Sequence, residues 1–206
     1  MKLYYSPGAC SLATNILLRE AGQAFDMEKV STKDHKTETG ADYYRINPKG
    51  YVPALKLDDG EIATENVVLH GLVASLNPDA RLAPAPGTKE RRKLDQLSVF
   101  ISTEIHKTYA AFFLNPPLPE DAKPIFHDKL MKRYAMIEEM LSDGRPYLTG
   151  ETFQTADSYL FTVTRWAPHV GLDLSRFRNL ALFMDRVAAR PAVKAALESE
   201  GLLKAA

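Results

Sequence analysis

Residues 2–22 read KLYYSPGACSLATNILLREAG. Lys2 to Tyr5 is a short run of strand-forming residues that Ser6, Pro7 and Gly8 break off. From there Leu12, Ile16 and Leu17 recur at the spacing of one helix face until Gly22 closes the segment. The stretch therefore predicts strand, turn and helix. Phe25 to Val30 supplies a second strand, and Ala41 to Ile46 a short helix stopped by Asn47, Pro48 and Gly50. Leu55 and Leu57 alternate around Lys56 before the turn residues Asp58, Asp59 and Gly60, and Ile62 lies on the return strand, so a hairpin is expected. Thr64, Glu65 and Asn66 are polar starters for a helix from Val67 to Leu76, which Asn77 and Pro78 end.

The order β, α, β, α, β, β, α over residues 1–80 is that of a thioredoxin-like module, a βαβ crossover followed by a hairpin and a closing helix. Residues 81–87 contain LAPAPG, a Pro-rich linker. Beyond it strand signals stop, and residues 88–206 read as an all-helical second domain. Its first helix runs from Lys89 to about Phe113, with Leu94, Leu97, Ile101 and Ile105 on one stripe, and the prolines between Asn115 and Pro124 break it. Further helices are expected over about 125–141, 157–166, 180–189 and 191–197. The expected fold class is an α/β thioredoxin-like N-terminal domain plus an all-α C-terminal domain.

Composition narrows the chemistry. The chain has 206 residues, 45% hydrophobic and 25% charged, which is ordinary for a soluble globular protein. Lys plus Arg equals Asp plus Glu at 26 each, so there is no whole-chain positive field for nucleic acid or an anionic membrane. Val67 to Leu76 is the richest apolar window and falls far short of the ~20 residues of a membrane helix. The amino terminus has no signal-type apolar core, and Cys10 is the one cysteine, so the reducing cytoplasm is the expected compartment. The five histidines are scattered without ligand spacing, so no metal site is expected.

Cys10 is either a small buried hydrophobe or a reactive thiol. It follows Pro7 and Gly8 where a strand turns into a helix, and the amides and dipole of a helix start favour thiolate, so its pKa is expected below that of a free cysteine. No Cys-x-x-Cys pair exists, and glutathione is the abundant cytosolic thiol that could resolve a mixed disulfide. Pro53 opens the third strand either as a trans edge residue or as a cis proline that turns the Val52 backbone outward to pair with an extended peptide. Glu65 and Asn66 either cap the next helix or serve a ligand, its free amides suiting a carboxylate and Glu65 an ammonium. His106 lies between Glu104 and Lys107 on the first helix of the second domain. Ser102, His106, Tyr109 and Phe113 form a stripe rotated from the leucine-isoleucine seam, which with Trp166 opposite would suit an apolar pocket between two domains.

Tyr4 to Cys10 (YYSPGAC), Asn47 to Pro53 (NPKGYVP), Leu57 to Gly60 (LDDG), Thr64 and Glu65, Glu104 to Lys107 (EIHK) and Ala156 to Phe161 (ADSYLF) together resemble the cytosolic glutathione transferases of the bacterial beta class, in order and across nearly the whole chain. The resemblance implies a detoxifying transferase and a homodimer, with glutathione as co-substrate, no further cofactor, and a small hydrophobic electrophile as the second substrate. Cys10 would contact the glutathione sulfur, and the Val52 backbone with cis-Pro53 would align the cysteinyl part. Glu65 and Asn66 would hold the γ-glutamyl end, joined by Glu104 of the partner subunit, and His35 or Lys36 would meet the glycine carboxylate. His106 would approach the sulfur, and Tyr109, Phe113 and Trp166 would line the electrophile pocket. Two departures stand out among the glutathione-binding positions: Asn66 replaces a small residue, often Ser, and His35 stands where Lys is frequent. Asp157 would cap a buried helix start, but Gln154 occupies the place of the usual Ser or Thr, so either Thr155 or a shifted start compensates or this helix begins less stably. Two other readings compete: thiol-disulfide exchange or peroxide reduction through Cys10, and a non-catalytic glutathione- or ligand-binding protein.

Overall fold

The computed structural model describes residues 1–114 and 116–203. Asn115, where the proline-rich break was expected to begin, and the last three residues of the expected helical domain lie outside the described residues. By its contacts the chain forms two compact units, one of residues 1–83 with 189–206 and the other of residues 84–188.

The first unit holds a four-stranded sheet in the order β2-β1-β3-β4. β1 (Lys2–Tyr5) pairs parallel with β2 (Asp26–Lys29) across the crossover helix α1 (Ser11–Glu20), and antiparallel with β3 (Ala54–Lys56). β3 pairs antiparallel with β4 (Ile62–Thr64), which leads into α2 (Asn66–Leu76). The predicted βαβ unit and hairpin are thus present; the short helix expected after β2 is a single 3-10 turn at Tyr43–Arg45. Side-chain alternation divides the core. Leu3 and Leu55 are paired and fully buried on one face of the sheet. Tyr4 and Ala54 are paired on the opposite face, where they pack with Val30, Tyr43 and Val52. This second cluster supports the loops that carry Cys10, His35 and Val52.

The domain boundary differs from the sequence expectation at the C-terminal end. α8 (Pro191–Ser199) packs on α1, burying Val193, Ala196 and Leu197. Three polar ties add to this face. Arg190 Nε and Nη2 donate to the Glu20 carboxylate at 2.6 and 2.8 Å, Asn15 Nδ2 donates to Glu200 Oε1 at 3.0 Å, and the Gly8 amide donates to Glu200 Oε2 at 2.9 Å. Helical periodicity shows that a segment has an apolar face but not which partner covers it, so sequence order alone places the last helix with its neighbours.

The second unit begins with α3 (Lys89–Phe100), which continues without a break through a π-helical stretch at Ile101–His106, α4 (Lys107–Ala110) and a 3-10 turn at Ala111–Phe113. Against it lie α5 (Lys123–Met140) and α6 (Thr155–Thr164), and α7 (Arg178–Ala188) packs on these two. Leu94, Leu97, Ile101 and Ile105 are all buried, as the stripe predicts. Helix α6 starts at Thr155 with Gln154 as its N-cap. The buried Asp157 carboxylate accepts from the Gln154 and Leu148 amides at 2.7 and 2.8 Å, so the aspartate ties down this helix start without a Ser or Thr cap. Among the described residues, no helix is long and apolar enough to cross a membrane.

Candidate active site

Cys10 is the residue at which the β1 loop enters α1. The turn is closed by the Ala9 amide on the Ser6 carbonyl and by Ser11, whose hydroxyl bonds back to the Ser6 backbone. Gly8 has φ +72, a conformation glycine adopts without the Cβ clash. The Cys10 Sγ–H donates to the Val52 carbonyl at 3.2 Å, and the Val52–Pro53 peptide is cis.

The charge state of the sulfur departs from expectation. Burial pushes the Cys10 thiol up to about 11, although the residue keeps part of its surface exposed. The Asn66 side chain and the backbone amides of Cys10 and Ser11 pull in the anticipated direction, and Glu65 adds a smaller upward push. Desolvation outweighs the helix start because ionisation would place a charge where little water reaches it. Cys10 is a thiol at neutral pH.

Asn66 and Glu65 sit at the start of α2. Asn66 is buried and its Oδ1 accepts from the Thr14 hydroxyl at 3.2 Å. Glu65 precedes the helix at φ +71, a region costly for a residue with a Cβ, and its carboxylate makes no capping bond to α2. It instead accepts from Lys49 Nζ at 2.6 Å, and the same ammonium reaches the Thr64 hydroxyl at 3.2 Å. The carboxylate is thus held clear of the amides at the helix start. His35 also has a left-handed backbone, φ +53; its Nδ1 bonds the Gly50 carbonyl at 3.2 Å and its ring packs on Tyr44 with centroids 4.6 Å apart. Lys36 is exposed. Cys10, His35, Lys36, Val52, Pro53, Glu65 and Asn66 all belong to the first unit.

His106, Phe113 and Trp166 gather in the second unit. The Trp166 ring meets His106 edge-on at 5.1 Å, Tyr109 at 5.8 Å and Phe113 at 5.9 Å between centroids. His106 Nδ1 bonds the Tyr159 hydroxyl at 2.7 Å. Burial, with a smaller push from Lys107, takes the imidazole down to about 4, so it is neutral at physiological pH. Phe113 is 56% exposed and Trp166 half-buried, which leaves apolar surface open.

Tyr109 departs from the lining role expected for it. It is fully buried, and its hydroxyl joins that of Tyr134 at 3.0 Å, which donates to Thr164 Oγ1 at 3.1 Å. Tyr109 lies four residues after Ile105 and so continues the core seam, a placement that its three-residue spacing from His106 obscured. Glu104 is also engaged within its own unit: Arg133 Nε and Nη2 reach its Oε2 at 2.8 and 2.6 Å and Lys129 Nζ at 3.6 Å, and Arg133 holds the carboxyl below its ordinary range. Four supporting residues escaped the sequence reading: Thr14, Lys49, Arg133 and Tyr159. Lys49 and Tyr159 stand inside quoted motifs, NPKG and ADSYLF, but pairing them with Glu65 and His106 needs the tertiary fold.

Known proteins resemble this one over nearly the whole chain. Residues 8–70 match the family model for the glutathione S-transferase N-terminal domain, and residues 76–191 that for the C-terminal domain. The chain is 43% identical over 202 residues to glutathione S-transferase GstA of Escherichia coli O157:H7, covering 98% of this chain and 100% of that protein. The bacterial beta class glutathione S-transferase of Sphingomonas chungbukensis superposes with a TM-score of 0.94 at 43% identity, covering 98% of this chain and 100% of that one. A sphingomonad glutathione S-transferase solved in complex with glutathione superposes at 0.93 and 40% identity, with the same coverage. With both family domains present in order and full-length relatives at this identity, the chain belongs to the glutathione S-transferase family, on the side of its bacterial beta class.

Proposed function

We propose that the protein transfers the thiolate of glutathione to a small hydrophobic electrophile. In this reading the Val52 backbone beside Pro53 aligns the cysteinyl part of glutathione as an added strand. The amides at the start of α2, with Asn66, take the γ-glutamyl carboxylate, and Glu65 takes its ammonium. His35 or Lys36 meets the glycine carboxylate, and His106 meets the sulfur. Phe113 and Trp166 offer apolar surface to the electrophile. The protein is read as a cytoplasmic homodimer in which Glu104 of the partner subunit adds to the γ-glutamyl site, and glutathione is its co-substrate with no further cofactor.

The observation that carries this reading against its rivals is the state of Cys10. A thiol pushed up to about 11 and bonded to the Val52 carbonyl is a hydrogen-bond donor at neutral pH and a poor nucleophile. It suits the task of donating to a glutathione thiolate better than that of attacking a disulfide or peroxide. Binding also raises the effective concentration of the two reactants.

The test runs two assays side by side on the same preparation, an activated aryl halide with glutathione and a glutathione mixed disulfide with glutathione. Conjugation should dominate. Dominant disulfide turnover would favour the exchange reading, and glutathione binding without either turnover would favour the non-catalytic one. Light scattering should give a dimer of 23.0 kDa subunits, and a monomer across micromolar concentrations would remove the shared Glu104.

A further inference from the structure

We propose that Tyr159 is a positioning residue that fixes the ring tautomer of His106, so that His106 offers Nε2–H to the sulfur of glutathione as a hydrogen-bond donor and not as a base. The inference rests on His106 being the residue that meets the sulfur, as read above.

The geometry begins with the 2.7 Å separation of His106 Nδ1 and the Tyr159 hydroxyl. Tyr159 is 1% exposed, and all ten residues of its helix α6 are buried, so the phenol is a fixed point in the core. The imidazole is restrained on two sides, with the Tyr159 ring edge-on at 5.7 Å and Trp166 at 5.1 Å. Its orientation is therefore set before any ligand arrives.

The direction of the bond decides the chemistry. A neutral imidazole carries a proton on one nitrogen and a lone pair on the other. Hydroxyl donors to oxygen centre on about 2.7 to 2.8 Å, whereas N–H donors to oxygen centre on about 2.9 to 3.0 Å. The short separation here fits an O–H donor, and a phenol gives its proton to an imidazole lone pair more readily than it accepts from the ring N–H. Nδ1 is then the acceptor, and the ring proton must lie on Nε2. Burial keeps the ring neutral, which preserves this arrangement at physiological pH.

An Nε2–H donor stabilises a thiolate without competing for its proton. The opposite tautomer would turn a lone pair toward the same sulfur and repel it. When the glutathione S–H bond breaks, its proton leaves to water and His106 retains its own.

Long-range 1H–15N correlation of histidine-labelled protein at neutral pH tests this directly, with the His106 signal identified by its loss in His106→Asn. The wild type should show Nδ1 bare and Nε2 protonated. Tyr159→Phe should give a tautomer mixture at His106, and kcat for conjugation should fall about tenfold with KM for glutathione held, the equivalent of one lost hydrogen bond. An Nδ1-protonated ring in the wild type, or a Tyr159→Phe ring that keeps the Nε2–H form, would overturn the proposal. The wild-type spectrum decides the matter alone if Tyr159→Phe fails to fold. Because the tautomer is read without turnover, its failure is distinct from a failure of the conjugation reading.

Discussion

The Cys10 thiol donates to the Val52 carbonyl at 3.2 Å, joining the loop before α1 to the residue that precedes the cis proline. This bond exists only while sulfur keeps its proton. Ionisation would place a negative charge against the carbonyl oxygen, in a setting where burial already pushes the thiol up to about 11.

The first prediction follows from that value. Thiolate absorbance of the native protein should rise with a midpoint near 11, against an ordinary 9.0. A raised folded pKa contributes stability that is complete below the unfolded value and is lost as pH climbs through the folded one, so this contribution should fade between about 9 and 11. A midpoint at or below the ordinary value would show that the helix start outweighs burial.

Asn66 links the buried Thr14 hydroxyl to the sulfur site. Asn66→Ala should leave Thr14 without its acceptor, costing about 1 to 3 kcal/mol in urea denaturation. It should also raise the Cys10 midpoint further, because the side chain that favours thiolate is gone. An unchanged denaturation midpoint together with an unchanged thiol titration would mean that Asn66 couples to neither group.

Two neutral histidines set the acid limb. Burial holds His106 at about 4 and His70 at about 3, against an ordinary 6.5. Between these values and 6.5 the unfolded chain binds protons that the native state refuses, so stability is full above about 6.5 and falls with falling pH. His106 alone accounts for roughly 3 kcal/mol across its window. Denaturation midpoints should decline as pH drops from neutral toward 4, less steeply in His106→Gln. Equal slopes in the two proteins would contradict the neutral state of His106.

Trp166 is the hub of the aromatic group, in edge contact with His106 and Phe113. Trp166→Ala should weaken the apolar electrophile about tenfold and leave glutathione affinity nearly unchanged. Equal loss of both by calorimetry would mean that Trp166 supports the fold and not the electrophile site.

The legible part of this protein was its local order. The residue pattern of β1 and α1, the hairpin around Asp58 to Gly60 and the Leu94 to Ile105 seam each encode their element within a few residues, because strand alternation and helix periodicity are short-range properties. The pieces that were not legible depend on who meets whom. The partner of α8 is α1, Tyr109 serves the core seam, and Lys49 pairs with Glu65 sixteen residues away. The Cys10 charge state failed to read for the same reason. Its helix-start amides are visible in sequence order, whereas the desolvation that outweighs them is produced by the packed fold.

The most direct test of the whole account is Cys10→Ala assayed for both reactions. Conjugation should persist at measurable turnover, since in the proposed function the attacking sulfur is that of glutathione and His106 is the residue that meets it. Disulfide exchange through the enzyme should vanish, because the chain has no other cysteine. Loss of conjugation in a folded variant that still binds glutathione would make Cys10 an obligatory participant and contradict the account.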